Sequence, residues 1–367
     1  MVGFVVSYYA PHFVPYLGFF PYREILTDYH LPTWISSAAN FDGIHYMLIS
    51  QQGYSQWEQA YFPLYPLLMA GLNLLTHNPM VSGLLIANVS FLGGLMVLKK
   101  LLTLWEYKPT WVVLSLLSFP TAFFFGVLYT EGLFFLLFVS ALYFLETKQY
   151  AKAMGVGALA ASTRLIGVFL VIPFAFHFVR ISHITQWKKC LPLIQKHVAI
   201  ILSPSLGLIA YCLYLWKTVG DPLYFFHAQP VFGAHRSTHL VLLPQVYYRY
   251  IKILLTAAHD FQWYVSFGEI FMFTLVAGVL LVDFFAVLRA GKNRTLLGLN
   301  LFSFVNILLP PLTGTFSSIP RYALFSLSLF LCVARIQSPV WKWVIVAIGA
   351  LGEVAVLVLF TQGYFIG

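Results

Sequence analysis

The chain has 367 residues, of which 60% are hydrophobic and only 9% charged, with a formal net charge of +9. Soluble globular domains run nearer about 45–50% apolar and about 25% charged, so a soluble enzyme or binding module is excluded and an integral membrane protein is indicated. The positive charge does not point to nucleic acid either. The cations flank apolar runs, as at Lys99–Lys100, Lys188–Lys189 and Arg289 to Arg294, which is the pattern of basic residues held on the cytoplasmic side of a membrane.

Apolar runs of spanning length recur from end to end with no long polar interval, so the sequence predicts an all-α, polytopic membrane protein forming one domain over residues 1–367. Spans are expected at 2–20, 80–102, 110–129, 131–147, 197–217, 264–288, 296–313, 320–336 and 343–361. The chain opens almost directly in apolar sequence, without the charged region or small-residue cleavage site of a removable signal, so its first span is expected to carry targeting. Such an opening also fits a start that lies further upstream.

Two apolar stretches resist a simple crossing. Residues 61–77 are short and carry Pro63 and Pro66; counting them as a span would move Lys99, Lys100 and Lys108 outside. They are expected to form a re-entrant or surface helix on the outer face, with backbone buried in protein. Residues 152–180 are long for one span and carry Arg164 near their middle, which suggests two half-length helices meeting near Ser162-Thr163-Arg164. The loops 21–79, 218–263 and 314–319 and the Thr130-Glu131 turn then all fall outside. Cys190, Cys212 and Cys332 lie in or beside apolar runs without metal-ligand spacing, so neither a disulfide framework nor a zinc site is indicated.

The polar residues of chemical interest gather on that outer face. The first loop reads Asn40-Phe41-Asp42-Gly43-Ile44-His45-Tyr46, then Gly53-Tyr54, then Tyr61-Phe62-Pro63-Leu64-Tyr65-Pro66. In a helix, Asp42, His45, Tyr46 and Ile49 share one face, so carboxylate and imidazole stand together; the plainer alternative is that Asp42 merely caps that helix. Glu58 is the second acid of the loop, either solvated, contacting an acceptor, or joining Asp42 in holding a divalent metal such as Mg or Mn. Glu131 stands between two apolar runs and needs water or a partner. Arg164, within an apolar stretch, needs a cavity, an anion or an ion-pair partner. Arg321, beside Tyr322, is suited either to snorkelling or to gripping a phosphate with its planar fork. Arg236, among the histidines and aromatics of the second large loop, is a further candidate anion ligand.

These motifs resemble the PIG-V-like mannosyltransferases. The order Phe-Asp-x-x-His-Tyr, Gly-Tyr, then Tyr-Phe-Pro-Leu-Tyr-Pro is similar to that family's opening signature. Tyr129-Thr130-Glu131-Gly132-Leu133-Phe134, Ser162-Thr163-Arg164 and Pro320-Arg321-Tyr322 resemble its later elements, so the likeness covers roughly residues 1 to 335. It departs in two places, with Phe41 where Trp is common and Gly132 where Ser is usual.

The resemblance implies a GT-C-type bundle of about 9–11 transmembrane helices, and a hexose, above all mannose, moved from a polyprenyl-phosphate donor to a glycan, glycolipid or protein acceptor with inversion. Asp42 would be the general base, and His45, Tyr46, Glu58, Glu131, Arg164, Arg236, Arg321 and Tyr322 would contact substrate. The site would face outward from a bacterial cytoplasmic membrane, or into the endoplasmic reticulum lumen of a eukaryote. No nucleotide-phosphate loop or clear Asp-x-Asp motif is present, which disfavours a nucleotide-sugar donor. A transporter or lipid-linked sugar flippase is the competing reading, carried by the interrupted helix at Arg164; a non-catalytic lipid-binding scaffold is a third and would require Asp42 to be dispensable.

Overall fold

A computed structural model describes residues 2–17, 22–181, 192, 194–232, 236–290 and 294–366, and every regular element among them is a helix. The principal helices are α1 (Val2–Tyr9), α2 (Asp42–Gln52), α3 (Leu64–Thr76), α4 (Pro79–Leu104), α5 (Pro109–Leu117), α6 (Glu131–Glu146) and α7 (Tyr150–Thr163). They continue as α8 (Val171–Ile181), α9 (Ser205–Val219), α10 (Leu243–Thr256), α11 (Phe261–Ala290), α12 (Arg294–Leu308), α13 (Leu327–Arg335) and α14 (Pro339–Thr361). Four stretches, Pro79–Leu104, Phe261–Arg289, Thr295–Thr313 and Pro339–Thr361, are long and apolar enough to cross a membrane.

Their outer surfaces carry apolar stripes at helical spacing. Between Pro79 and Leu98 the exposed residues of α4 are Leu85, Val89, Leu92 and Met96, one face of a 3.6-residue helix turned away from the protein. Side chains in that number and register suit an apolar surrounding. By contrast α6 buries nearly its whole circumference, from Leu133 and Phe134 through Phe138 to Leu145, as a helix apolar on all sides must. It starts hard against α4: a Cβ on Gly132 would lie 2.3 Å from the Ala87 carbonyl oxygen and 2.7 Å from that of Phe125, so only glycine lets the two backbones approach this closely.

Several expected crossings are not single helices. Of the expected span at 2–20, the described residues 2–17 give α1 and then a 3-10 turn over Ala10–His12 containing Pro11, and residues 18–20 lie outside the described residues. The run at 110–129 stops at Leu117, just before Phe119-Pro120, and resumes only as a 3-10 turn at Ala122–Phe125. That at 320–336 divides into Ile319–Ala323 and α13, and that at 197–217 divides at Pro204 into Val198–Leu202 and α9. Apolarity set the length of these runs, whereas proline, lacking an N–H and clashing with the preceding turn, breaks the helix at Pro11, Pro120 and Pro204; the break between Ala323 and Leu327 contains no proline. The 61–77 stretch forms α3, thirteen residues long, which at 1.5 Å per residue covers about 20 Å and falls short of a hydrocarbon core of about 30 Å.

The half-helix arrangement at 152–180 is present. α7 ends at Thr163, Arg164 is extended, a 3-10 segment covers Leu165–Leu170, and α8 follows. The two ends of the segment lie together. Tyr150 packs on Phe178 with ring centroids 5.4 Å apart, and Arg180 pairs with Glu146 at the end of α6. Arg164 meets Glu131 at the start of α6, so the segment is a hairpin with Arg164 at its tip. Lys188–Lys189, which the charge argument set beside this hairpin, lie outside the described residues.

Candidate functional site

Asp42 opens α2, and the residue before it is strained. Phe41 has φ 60° and ψ −118°, a region costly for a bulky side chain. The strain is held by aromatic packing of Phe41 on Phe360 and Phe365. Two more non-glycine residues with positive φ flank site residues, Trp57 (75°) before Glu58 and Ser318 (67°) before Arg321. Below α2, Tyr129 donates its hydroxyl to the Asn40 carbonyl and accepts the Asp42 N–H, so the turn before the helix is pinned to the segment before α6.

The Asp42 side chain does not cap its helix. Oδ2 lies 2.8 Å from Nη1 of Arg321, and Oδ1 accepts the Tyr61 hydroxyl at 3.2 Å. Arg321 also reaches back, its Nε 3.3 Å from Oε1 of Glu131. Glu131 in turn holds Nη1 of Arg164, which also donates to the Thr130 hydroxyl at 3.0 Å. Two acids and two arginines thus alternate in one network from four distant segments. Its formal charge is neutral, and Glu131, with a side chain 0% exposed, is its buried centre.

That network lies on a cavity of about 1290 Å³, larger than the roughly 300–1000 Å³ of ordinary small-molecule pockets. Asp42, His45, Tyr46, Arg164, Arg236, Arg321 and Tyr322 all line it. Two expected contact residues do not. Glu131 is sealed beneath the arginines, and Glu58 accepts the Ser55 N–H at 2.9 Å while lying 3.3 Å from Nδ1 of His45. Asp42 and Glu58 therefore serve different partners, and only Asp42 lines the cavity. Among the described residues no group of three or more His, Cys, Asp or Glu is placed to hold an ion.

The electrostatics follow from this pairing. Burial pushes the Asp42 carboxyl up, but the charge and hydrogen bond of Arg321, helped by His45 and Arg236, hold it below its ordinary 3.8. Asp42 is thus a fixed, ionised carboxylate whose side chain remains 23% exposed toward the cavity. Such a group can accept a proton from a hydroxyl brought within hydrogen-bond reach. The expected phosphate clamp at Arg321 changes character: its fork already serves Asp42 and faces Glu131, so it orients the carboxylate. Arg164 is likewise occupied, stacked 5.6 Å from the Tyr322 ring.

Several lining residues were not anticipated. Tyr61 was visible as part of a motif, but its bond to Asp42 was not. Arg249, Lys252 and Glu269 also line the cavity; the i, i+3 spacing of the two cations on α10 was the available signal. Glu269 accepts the Tyr250 hydroxyl at 2.6 Å, and that hydroxyl also contacts Thr315 Oγ1 and accepts the Phe316 N–H, which ties α10 and α11 to the loop before Arg321. Compared with known proteins, the chain matches no family model, no curated protein and no solved structure.

Proposed function

We propose that this chain is a membrane glycosyltransferase of the PIG-V-like, GT-C type, moving a hexose, mannose first among candidates, from a polyprenyl-phosphate carrier to a hydroxyl acceptor. The observation that carries the reading is the Asp42 carboxylate, fixed by Arg321 and opening on a large cavity where the segments around Asp42, Arg164 and Arg321 meet. In the reaction the acceptor oxygen forms a bond to the anomeric carbon while the bond from that carbon to the phosphate oxygen breaks. The acceptor proton passes to Asp42, polyprenyl phosphate departs, and the single displacement inverts the centre. Tyr46, Tyr61 and Phe62 in the cavity lining give sugar faces something to stack on.

The orientation that fits places this cavity outside. Lys99 and Lys100 near the end of α4, Arg180 near the end of α8, and Lys342 over the Trp111 ring lie toward the other end, and an excess of basic residues belongs on the cytoplasmic face. Gly132, where the resembled family carries Ser, is accounted for locally by the close carbonyls of Ala87 and Phe125. The transporter reading keeps one observation in its favour, the hairpin with Arg164 at its tip lining the cavity.

The deciding experiment is single-turnover transfer by reconstituted protein from radiolabelled polyprenyl-phosphate mannose or glucose. Sugar appearing in a new glycosidic bond supports the enzyme. Movement of intact lipid-linked sugar across the bilayer without transfer supports the flippase.

A further inference from the structure

Charge pairing divides the cations of the cavity into two sets. Arg164 and Arg321 are matched by Glu131 and Asp42. Arg236, Arg249 and Lys252 also line the cavity, yet none forms an ion pair with a carboxylate among the described residues. Arg236 donates to Oε1 of Gln229, and Arg249 donates to the Gly314 carbonyl at 3.3 Å. Glu269 lines the same wall, accepts the Tyr250 hydroxyl and acts on Arg236 without a close contact.

These cations are brought together by construction. The segment after Arg236 pairs with the turn before Gly314, Ser237 N–H donating to Thr313 O and Val241 N–H to Leu312 O. Arg249 reaches the same turn from α10, and Lys252 lies one helical turn further along. Gly314 adopts φ +97°, and a Cβ there would come within 2.7 Å of Arg249 Nη1. The positive φ is what favours glycine at this turn beside the guanidinium. Three cations without a close carboxylate partner on a partly buried wall call for a multiply charged anion, and guanidinium forks match phosphate oxygens. The outward face of the same helix and its approach expose Leu240, Leu242, Tyr248, Ile251 and Leu255. An anionic head at this wall therefore has an apolar path for its tail beside it.

We propose that Arg236, Arg249 and Lys252 form the subsite for the phosphate of a lipid-linked substrate, leaving Arg321 and Arg164 to position the carboxylates. The substrate's identity as a polyprenyl carrier rests on the glycosyltransferase reading; the subsite rests on the charges and the turn. The assignment is tested by binding rather than transfer, titrating polyprenyl phosphate into full-length protein in phosphatidylcholine nanodiscs and following tryptophan fluorescence. Replacement of Arg236 or Arg249 by Gln should weaken binding about 10–100-fold, the range expected for losing a charge-assisted hydrogen bond. Lys252→Gln, at an exposed position where folding is not at stake, should weaken it less, and Lys99→Gln, far from the cavity, should not change it. Polyprenol lacking the phosphate should fail to compete. Wild-type affinity in folded Arg249→Gln and Lys252→Gln overturns the subsite. Equal competition by phosphatidylglycerol makes it a general headgroup site, and equal competition by inorganic phosphate makes it a free-phosphate site; either result overturns the assignment to a lipid-linked substrate. If these variants lose binding while wild-type protein transfers no sugar, the enzymatic reading fails and the subsite stands.

Discussion

Asp42–Arg321 and Asp283–Arg335 are both aspartate–arginine pairs, yet they stand in different settings. Asp283 lies on α11, fourteen positions beyond Glu269, so about 21 Å further along the helix. One of its oxygens pairs with Arg335 and the other accepts Asn300 Nδ2 at 2.7 Å, while Arg335 is braced by the Tyr107 hydroxyl at 2.7 Å. Its side chain is 2% exposed. Asp42 is equally well hydrogen-bonded, but its side chain opens on the cavity. Pairing alone therefore does not mark a chemical site in this protein. Access to a space that can hold a substrate is what sets Asp42 apart.

The widest gap between the pairs should appear in turnover. Asp42→Asn keeps the size of the side chain but removes the base, and transfer in single-turnover assays should fall about 10²–10⁴-fold while the protein remains folded. Asp283→Asn should leave the rate of the folded fraction near wild type. A near-normal rate in folded Asp42→Asn would erase the distinction and favour the transporter.

Stability should show the reverse order. Arg335→Leu leaves Asp283 buried without its cation, and breaking such a pair costs about 3–5 kcal/mol. Thermal unfolding in detergent should register this as a large loss, whereas Asp42→Asn, which keeps a hydrogen-bond acceptor for Arg321 and leaves Glu131 beside that guanidinium, should lower the melting temperature less.

Acidity gives a third contrast. Since Arg321 lowers the Asp42 carboxyl below 3.8, its stabilising contribution is complete above that ordinary value and is lost as pH falls through the lower folded value. Transfer by the wild-type protein should accordingly show no acid limb from Asp42 above pH 3.8. In Arg321→Gln, burial acts without its counterweight, so a limb should emerge above pH 3.8. An unchanged profile in that variant would mean that Arg321 does not set the carboxylate.

Tyr61→Phe, the smallest perturbation, removes one hydrogen bond to Asp42 and should cost about 0.5–1.5 kcal/mol, a several-fold drop in rate with unchanged fold. An equivalent change at Tyr107 should act only on stability.

Much of this is legible in the sequence. The helix carrying Asp42, His45 and Tyr46, the break at Arg164 and the gathering of Asp42, Arg164 and Arg321 at one end all follow from local spacing, proline placement and the cost of charge in apolar sequence. What stayed hidden is relational. Nothing near Arg321 in the sequence says that its partner is Asp42 rather than a phosphate, because that pairing depends on how helices pack. Glu131 looked like a boundary acid, whereas packing of Gly132 against Ala87 and Phe125 draws it fully inside. The broken spans were misjudged because hydropathy reports solvent preference and is blind to the hydrogen bonds that Pro11 and Pro120 remove.

Arg321 follows Asp42 by 279 residues, and that separation carries a consequence for biogenesis. At about 5–20 residues per second, roughly 14–56 s of translation part the two side chains. Throughout that interval the nascent chain holds the aspartate helix, and later Glu131, without the guanidinium that joins them. A ribosome that stalls or a chain truncated before Ser318 therefore yields a membrane-inserted fragment bearing the whole opening motif but no assembled charge network. The order of synthesis thus makes completion of the polypeptide a condition for the site to exist.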